Sequence, residues 1–180
     1  LILSKKALAR RIDAQVFPGL QGGPLMHVIA AKAVAFGEAL TDEFKAYQRQ
    51  VLANARRLAE SLCESGFRLV SGGTSTHLLI LDLKSWNITG LAAEKTLEKA
   101  GLAANKNAIP FDPQPNSVTS GLRLGTAALT TRGIKEPEMD QVAEFIGEAL
   151  RHADDEAALG GIRNRVETLA ARFPLYPGFE

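Results

Sequence analysis

Apolar residues recur along this chain with two periods, and the change from one to the other separates helical from extended stretches. Leu25, Ile29, Ala33, Phe36 and Leu40 fall on one helical face and predict a helix from Pro24 to about Leu40. Small alanines around that stripe imply close packing on several sides. Thr41-Asp42 recaps, and a second helix runs to about Ser65 on Phe44, Tyr47, Val51, Leu58 and Leu62, stopped by Gly66. The pattern then shortens. Phe67 to Val70 and His77 to Leu83 read as strands about the polar segment 71–76. Thr89 caps a helix to Ala100, Gly101 ends it, and Leu102 to Ala104 can extend. Residues 105–120 carry three prolines and no periodicity, so they form a loop. Gly121 to Gly125 is a strand. Met139, Val142, Ile146 and Leu150 line a helix from Lys135 to His152. Ile162, Val166, Leu169 and Phe173 mark a last helix.

At the other end, Leu1-Ile2-Leu3 reads as a buried strand, Ser4 as a helix cap, and Lys5 to Ile12 as a short basic helix. A chain seldom opens inside a core strand, so the expectation is the later part of a longer protein. The class is α/β, or α+β if the strands within 67–83 pair antiparallel.

Composition narrows the partners. With 180 residues, 46% of them hydrophobic, the chain can bury a real core. Its 21 basic and 20 acidic side chains nearly cancel, which argues against a nucleic-acid or polybasic membrane role. One cysteine, Cys63, excludes an internal disulfide framework and fits a reducing compartment; beside Leu62 it reads as a small buried hydrophobe. No apolar run has the length of a membrane span, and no signal-peptide pattern opens the sequence.

Three stretches can carry chemistry. In Phe17-Pro18-Gly19-Leu20-Gln21-Gly22-Gly23-Pro24-Leu25-Met26-His27, a Gly pair able to take φ > 0 leads into a helix whose first turn suits Pro24. Free amides there make either an anion site, with phosphate the usual occupant, or a plain capping turn. Arg123 stands in the apolar strand Leu122-Arg123-Leu124. It is either a buried guanidinium awaiting a carboxylate or an edge-strand residue facing water. Asn105-Lys106-Asn107 offers amides for a heterocycle, or asparagines chosen for turn geometry. His27, His77 and His152 have no partner pattern, and no Cys/His cluster has metal spacing.

Taken together, Val16 to Ala33 with its Phe-Pro-Gly-Leu-Gln-Gly-Gly-Pro core, Phe44-Lys45-Ala46-Tyr47-Gln48, Val70-Ser71-Gly72-Gly73-Thr74, Asn105-Lys106-Asn107, Val118 to Thr126 and Thr130-Thr131-Arg132-Gly133 resemble, in order, serine hydroxymethyltransferase. The likeness runs over nearly the whole chain. It implies the α/β architecture of the aspartate-aminotransferase-like (fold type I) pyridoxal-phosphate enzymes. Residues 1–40 would be the end of the large cofactor-binding domain with an interdomain helix, and 41–180 the C-terminal small domain.

The resemblance also implies roles. Gly22 and Gly23 would offer backbone amides to the phosphate of pyridoxal 5'-phosphate, across the dimer interface. Arg123 would hold the amino-acid carboxylate. Asn107 would contact the ring system of tetrahydrofolate, the co-substrate, with the loop through Pro115, Asn116 and Ser117 alongside. The family commonly has Ser-Pro-Phe where this chain has Pro115-Asn116-Ser117, so backbone or Ser117 must make that contact. The lysine that takes the cofactor covalently lies upstream of Leu1 in the family. Lys5, Lys6, Lys32 and Lys106 do not match its motif. No catalytic residue or metal ligand is therefore assigned, and the chain alone is expected to be inactive. The expected whole interconverts serine plus tetrahydrofolate with glycine plus 5,10-methylenetetrahydrofolate, in a cytoplasmic homodimer or homotetramer. A threonine aldolase of the same fold and a non-catalytic dimerisation fragment are the alternatives.

Overall fold

The structure is a computed structural model that describes residues 2–175. The chain divides into two compact units, Leu1–Lys45 and Ala46–Glu180.

The first unit is helical. Helix α1 (Lys6–Ala14) leads into a wide π-type turn, Gln15–Leu20, in which Phe17 is extended. Residues 21–25 are irregular, and helix α2 (Met26–Ala39) follows. Neither helix has a buried residue. The stripe expected to face inward is open instead, with Leu25, Phe36 and Leu40 at 63%, 60% and 80% exposure. Periodicity gives the helix correctly, but nothing among the described residues covers its apolar side chains. Ile2 and Leu3 are exposed and lie in no strand, and no strand among the described residues pairs with them; Leu1 lies outside the described residues. Lys5, not Ser4, is the N-cap of α1, and the Ser4 hydroxyl donates to the Lys5 carbonyl instead.

Helix α3 (Asp42–Glu64) opens on the Thr41 hydroxyl, which accepts from the Phe44 amide, and its Val51, Leu58 and Leu62 are buried. Gly66, at φ 88°, closes it, with the Phe67 amide reaching back to the Leu62 carbonyl. Strands β1 (Arg68–Leu69) and β2 (Leu78–Asp82) follow, then helix α4 (Gly90–Lys99) with Thr89 as a side-chain cap. Strands β3 (Asn105–Asn107) and β4 (Gly121–Gly125) precede helices α5 (Ala127–Thr131), α6 (Glu136–Arg151) and α7 (Glu156–Ala171). The four strands order β1-β2-β4-β3, every neighbouring pair antiparallel. The strands within 67–83 pair antiparallel, which meets the condition set for the α+β arrangement, and the fold is a mixed one of a small antiparallel sheet and helices.

Alternation along the strands sorts the two faces of the sheet. Leu79, Leu81, Leu122 and Leu124 join one hydrophobic core with residues of α3, α4, α6 and α7. On the other face Ile80 pairs across from Arg123, and Arg123 from Asn105. The core face is tied to α3 by polar bonds. Buried Asn54 donates to the Thr130 hydroxyl and the Ile134 carbonyl (2.9 and 2.8 Å), and the Thr126 hydroxyl donates to the Val51 carbonyl (2.9 Å).

The expected strand at Leu102–Ala104 is displaced to Asn105–Asn107. Three polar residues have little intrinsic preference for a strand. They are held because Asn105, Lys106 and Asn107 pair with Arg123, Leu122 and Gly121, while the Glu94 carboxylate of α4 accepts from the Lys106 amide at 3.1 Å. Two glycines let these pieces close up. A Cβ on Gly121 would stand 2.6 Å from Ile109 Cγ2 and 2.7 Å from the Asn107 carbonyl oxygen. One on Gly90 would stand 2.1 Å from Thr119 Oγ1.

Candidate functional site

Arg123 is the chemical centre of the open sheet face. Its strand lies between β2 and β3, so ladders on both sides fix its backbone. The sequence left it either buried or on an edge strand; it is on an interior strand and exposed. The reason is parity. Leu122 and Leu124 point into the core, so the residue between them must point out. Its Nε donates to Asn105 Oδ1 at 3.1 Å, and it forms no ion pair among the described residues. A guanidinium held at Nε keeps both Nη groups presented as a fork, the geometry that matches a carboxylate with two parallel hydrogen bonds. Beside it is a hollow of about 450 Å³, lined by His77, Leu78, Ala104, Asn105, Arg123 and Gly125.

Asn107 lies two residues along β3, opposite Gly121, and does not line that hollow. It is half-buried, and its Nδ2 donates to the Ala108 carbonyl at 2.7 Å. Its Oδ1 and its second Nδ2 hydrogen have no partner among the described residues. Pro115, Asn116 and Ser117 are exposed on the connection from β3 to β4. The Pro115 carbonyl accepts from the amides of Val118 and Thr119, which bends the chain there.

That connection is organised by Asp112, which the sequence did not single out. One carboxylate accepts from the amides of Ile109 (3.1 Å), Gln114 (2.9 Å) and Ser120 (2.9 Å) and from the Ser120 hydroxyl (2.7 Å). Burial pushes this carboxyl up. The hydrogen bonds from Ser120, Gln114 and Ile109 outweigh it and hold the group well below the usual carboxylate range. The signal available in sequence was an Asp between Phe111 and Pro113, the kind of residue whose side chain bonds amides a few positions on.

In the first unit, Gly22 and Gly23 take no positive φ, contrary to the left-handed turn expected of them. Their flanks explain it: Gln21 (φ −126°, ψ 158°) and Leu25 (φ −79°, ψ 101°) are extended, so the chain enters α2 without a tight reversal. Pro24 precedes the helix, whose cap is Leu25, and is not in its first turn. A Cβ on either glycine would meet nothing within 4 Å, so nothing in this unit demands glycine there. Among the described residues the amides of Gly22, Gly23, Met26 and His27 have no acceptor. Bare backbone donors without side chains, beside the N-terminus of a 14-residue helix, fit a phosphate.

Of the other candidates, His77 lines the Arg123 hollow and His27 stands in the first turn of α2. Cys63 is exposed, not buried, because it is one residue past Leu62 and so about 100° round the helix from the buried stripe. His27, His77 and His152 are exposed, and no cluster of His, Cys, Asp or Glu suited to a metal occurs among the described residues. No helix among them is long and apolar enough to cross a membrane. A larger cavity, about 580 Å³, has mostly apolar walls that include Leu97, Leu129, Phe145 and Val166.

Comparison with known proteins adds two findings. The sequence profile of a family described as Serine hydroxymethyltransferase matches residues 4–146. A serine hydroxymethyltransferase of Myxococcus xanthus (strain DK1622) is 57% identical over 176 residues, which cover 98% of this chain and 42% of the relative. The chain therefore spans less than half the length of the curated relative it matches.

Proposed function

The chain belongs to the serine hydroxymethyltransferase family, and on that premise we propose that it is the C-terminal part of a pyridoxal-phosphate-dependent hydroxymethyltransferase. The complete enzyme interconverts serine and tetrahydrofolate with glycine and 5,10-methylenetetrahydrofolate. It is a cytoplasmic homodimer or homotetramer whose upstream part carries the lysine that bonds the cofactor. Residues 1–40 are the end of the large domain with an interdomain helix, and 41–180 are the small domain. The open apolar stripe of α2 supports this division, because exposed Leu25, Ile29, Phe36 and Leu40 need a cover from outside their own unit.

The observation that carries the reading is the Arg123 guanidinium, fixed at Nε, free of any acidic partner among the described residues, and set beside a hollow of about 450 Å³. Arg123 binds the amino-acid carboxylate through its two Nη groups and so orients the substrate. The amides of Gly22 and Gly23 hold the cofactor phosphate. Bound pyridoxal phosphate supplies an electron-withdrawing ring that stabilises negative charge at the substrate α-carbon as the side-chain bond breaks. Asn107 meets the folate ring system through Oδ1, and the Pro115-Asn116-Ser117 bend lies along the folate, giving it backbone and the Ser117 hydroxyl.

The test is Arg123→Lys in the complete enzyme. An ammonium keeps the charge and loses the fork, so serine affinity drops by about 2 kcal/mol, roughly 30-fold, in a calorimetric titration. Unchanged serine affinity would remove Arg123 from the site and the reading with it.

A further inference from the structure

We propose that Asn105 is a positioning residue for Arg123, holding the guanidinium in the one orientation that presents both Nη groups to a substrate carboxylate. The inference rests on the carboxylate-binding role of Arg123 and extends it to a neighbour that acts through the arginine.

The geometry has three parts. Asn105 and Arg123 are direct cross-strand partners, so their side chains leave the sheet on the same face, with Cβ atoms about 5 Å apart. Asn105 Oδ1 accepts from Arg123 Nε at 3.1 Å while Asn105 Nδ2 donates to the Lys106 carbonyl at 2.9 Å. Both ends of the amide are thereby used, and its orientation is fixed, because turning it over would set an N–H against an N–H and an oxygen against a carbonyl.

Asn105 itself stands on a held strand. Lys106, the next residue, is gripped on the opposite face by Glu94, which accepts its amide at 3.1 Å and pairs its ammonium at 3.5 Å. Helix α4 thus sets β3, β3 sets Asn105, and Asn105 sets the arginine. An exposed arginine has several rotatable bonds and loses their freedom when it binds a ligand. A bond at Nε removes part of that loss beforehand without occupying the fork, since Nε lies on the side of the guanidinium away from the Nη pair's outer edge.

A residue that acts only through Nε is separable from one that merely supports the sheet. In the complete enzyme, Asn105→Ala raises the Kd for serine and for glycine about 3- to 10-fold, the size of one modest hydrogen bond. The KM for tetrahydrofolate moves less than the KM for serine. In an Arg123→Lys background no Nε–H exists, so adding Asn105→Ala costs nothing further. Equal losses in the two backgrounds overturn the proposal, because they show a general effect on the sheet. If Arg123→Lys weakens serine binding and Asn105→Ala does not, the positioning role fails while Arg123 keeps its own. If Arg123→Lys leaves serine binding unchanged, both fall.

Discussion

Asp112 offers the sharpest check on how the β3–β4 connection is built. Four donors converge on its carboxylate, and they differ in what happens when it is removed. The Gln114 amide belongs to an exposed residue and can turn to water, whereas Ile109 and Ser120 are each only 5% exposed. Asp112→Ala therefore strands two buried amides at about 1–3 kcal/mol each, a loss of about 2–6 kcal/mol. Asp112→Asn is not a neutral swap. It costs less than Asp112→Ala, because an NH₂ in the place of Oδ1 faces the Gln114 amide, which can turn to water, and the Ser120 hydroxyl, which can rotate to accept, so the loss is mainly the charge assistance to the remaining bonds.

The pH dependence gives an independent handle. The folded-state carboxyl is held below its unfolded value, so its contribution is complete above about pH 4 and is lost as the pH falls through the folded value. The difference between the parent and Asp112→Ala should be constant near neutrality and shrink below about pH 4. Urea unfolding of residues 46–180, followed by the fluorescence of Trp86, reads this directly. Trp86 is the one tryptophan of the chain and stacks on Phe67 with ring centroids 4.0 Å apart. A destabilisation of less than about 0.5 kcal/mol, or a deficit that stays flat down to about pH 2, would refute the reasoning.

Two further outcomes follow from packing. Gly121→Ala puts a methyl within 2.9 Å of two backbone oxygens and a side-chain carbon, none at the end of a flexible chain, so it should cost about 3 kcal/mol or more in the same unfolding assay. A loss under about 1 kcal/mol would show that the β4 start is not closely packed. Cys63 should react with a maleimide in the folded protein at a rate close to that of the unfolded chain, as an exposed thiol does; marked protection would contradict its place on α3.

Much of this fold was legible along the chain, for local reasons. Helices α3, α4 and α6 were readable because apolar stripes, the Thr89 cap and the glycines at 66 and 101 are consecutive signals that need no distant partner. Strands β2 and β4 were readable because branched and apolar residues cluster there. The candidate residues Gly22, Gly23, Arg123 and Asn107 were also visible, since their types and spacing carry the family likeness.

Tertiary structure decided the rest. Asn105–Asn107 became a strand through pairing with residues up to 18 positions away and a carboxylate on α4, and no local propensity announces that. Arg123 turned outward because its neighbours in sequence were claimed by the core, and Cys63 for the same reason on a helix. The short helix α5 exists where Thr126 and Thr130 meet α3, more than 70 residues upstream. Sequence fixes which residues can bury or bond; only the packed chain fixes which face each shows and which partner it finds.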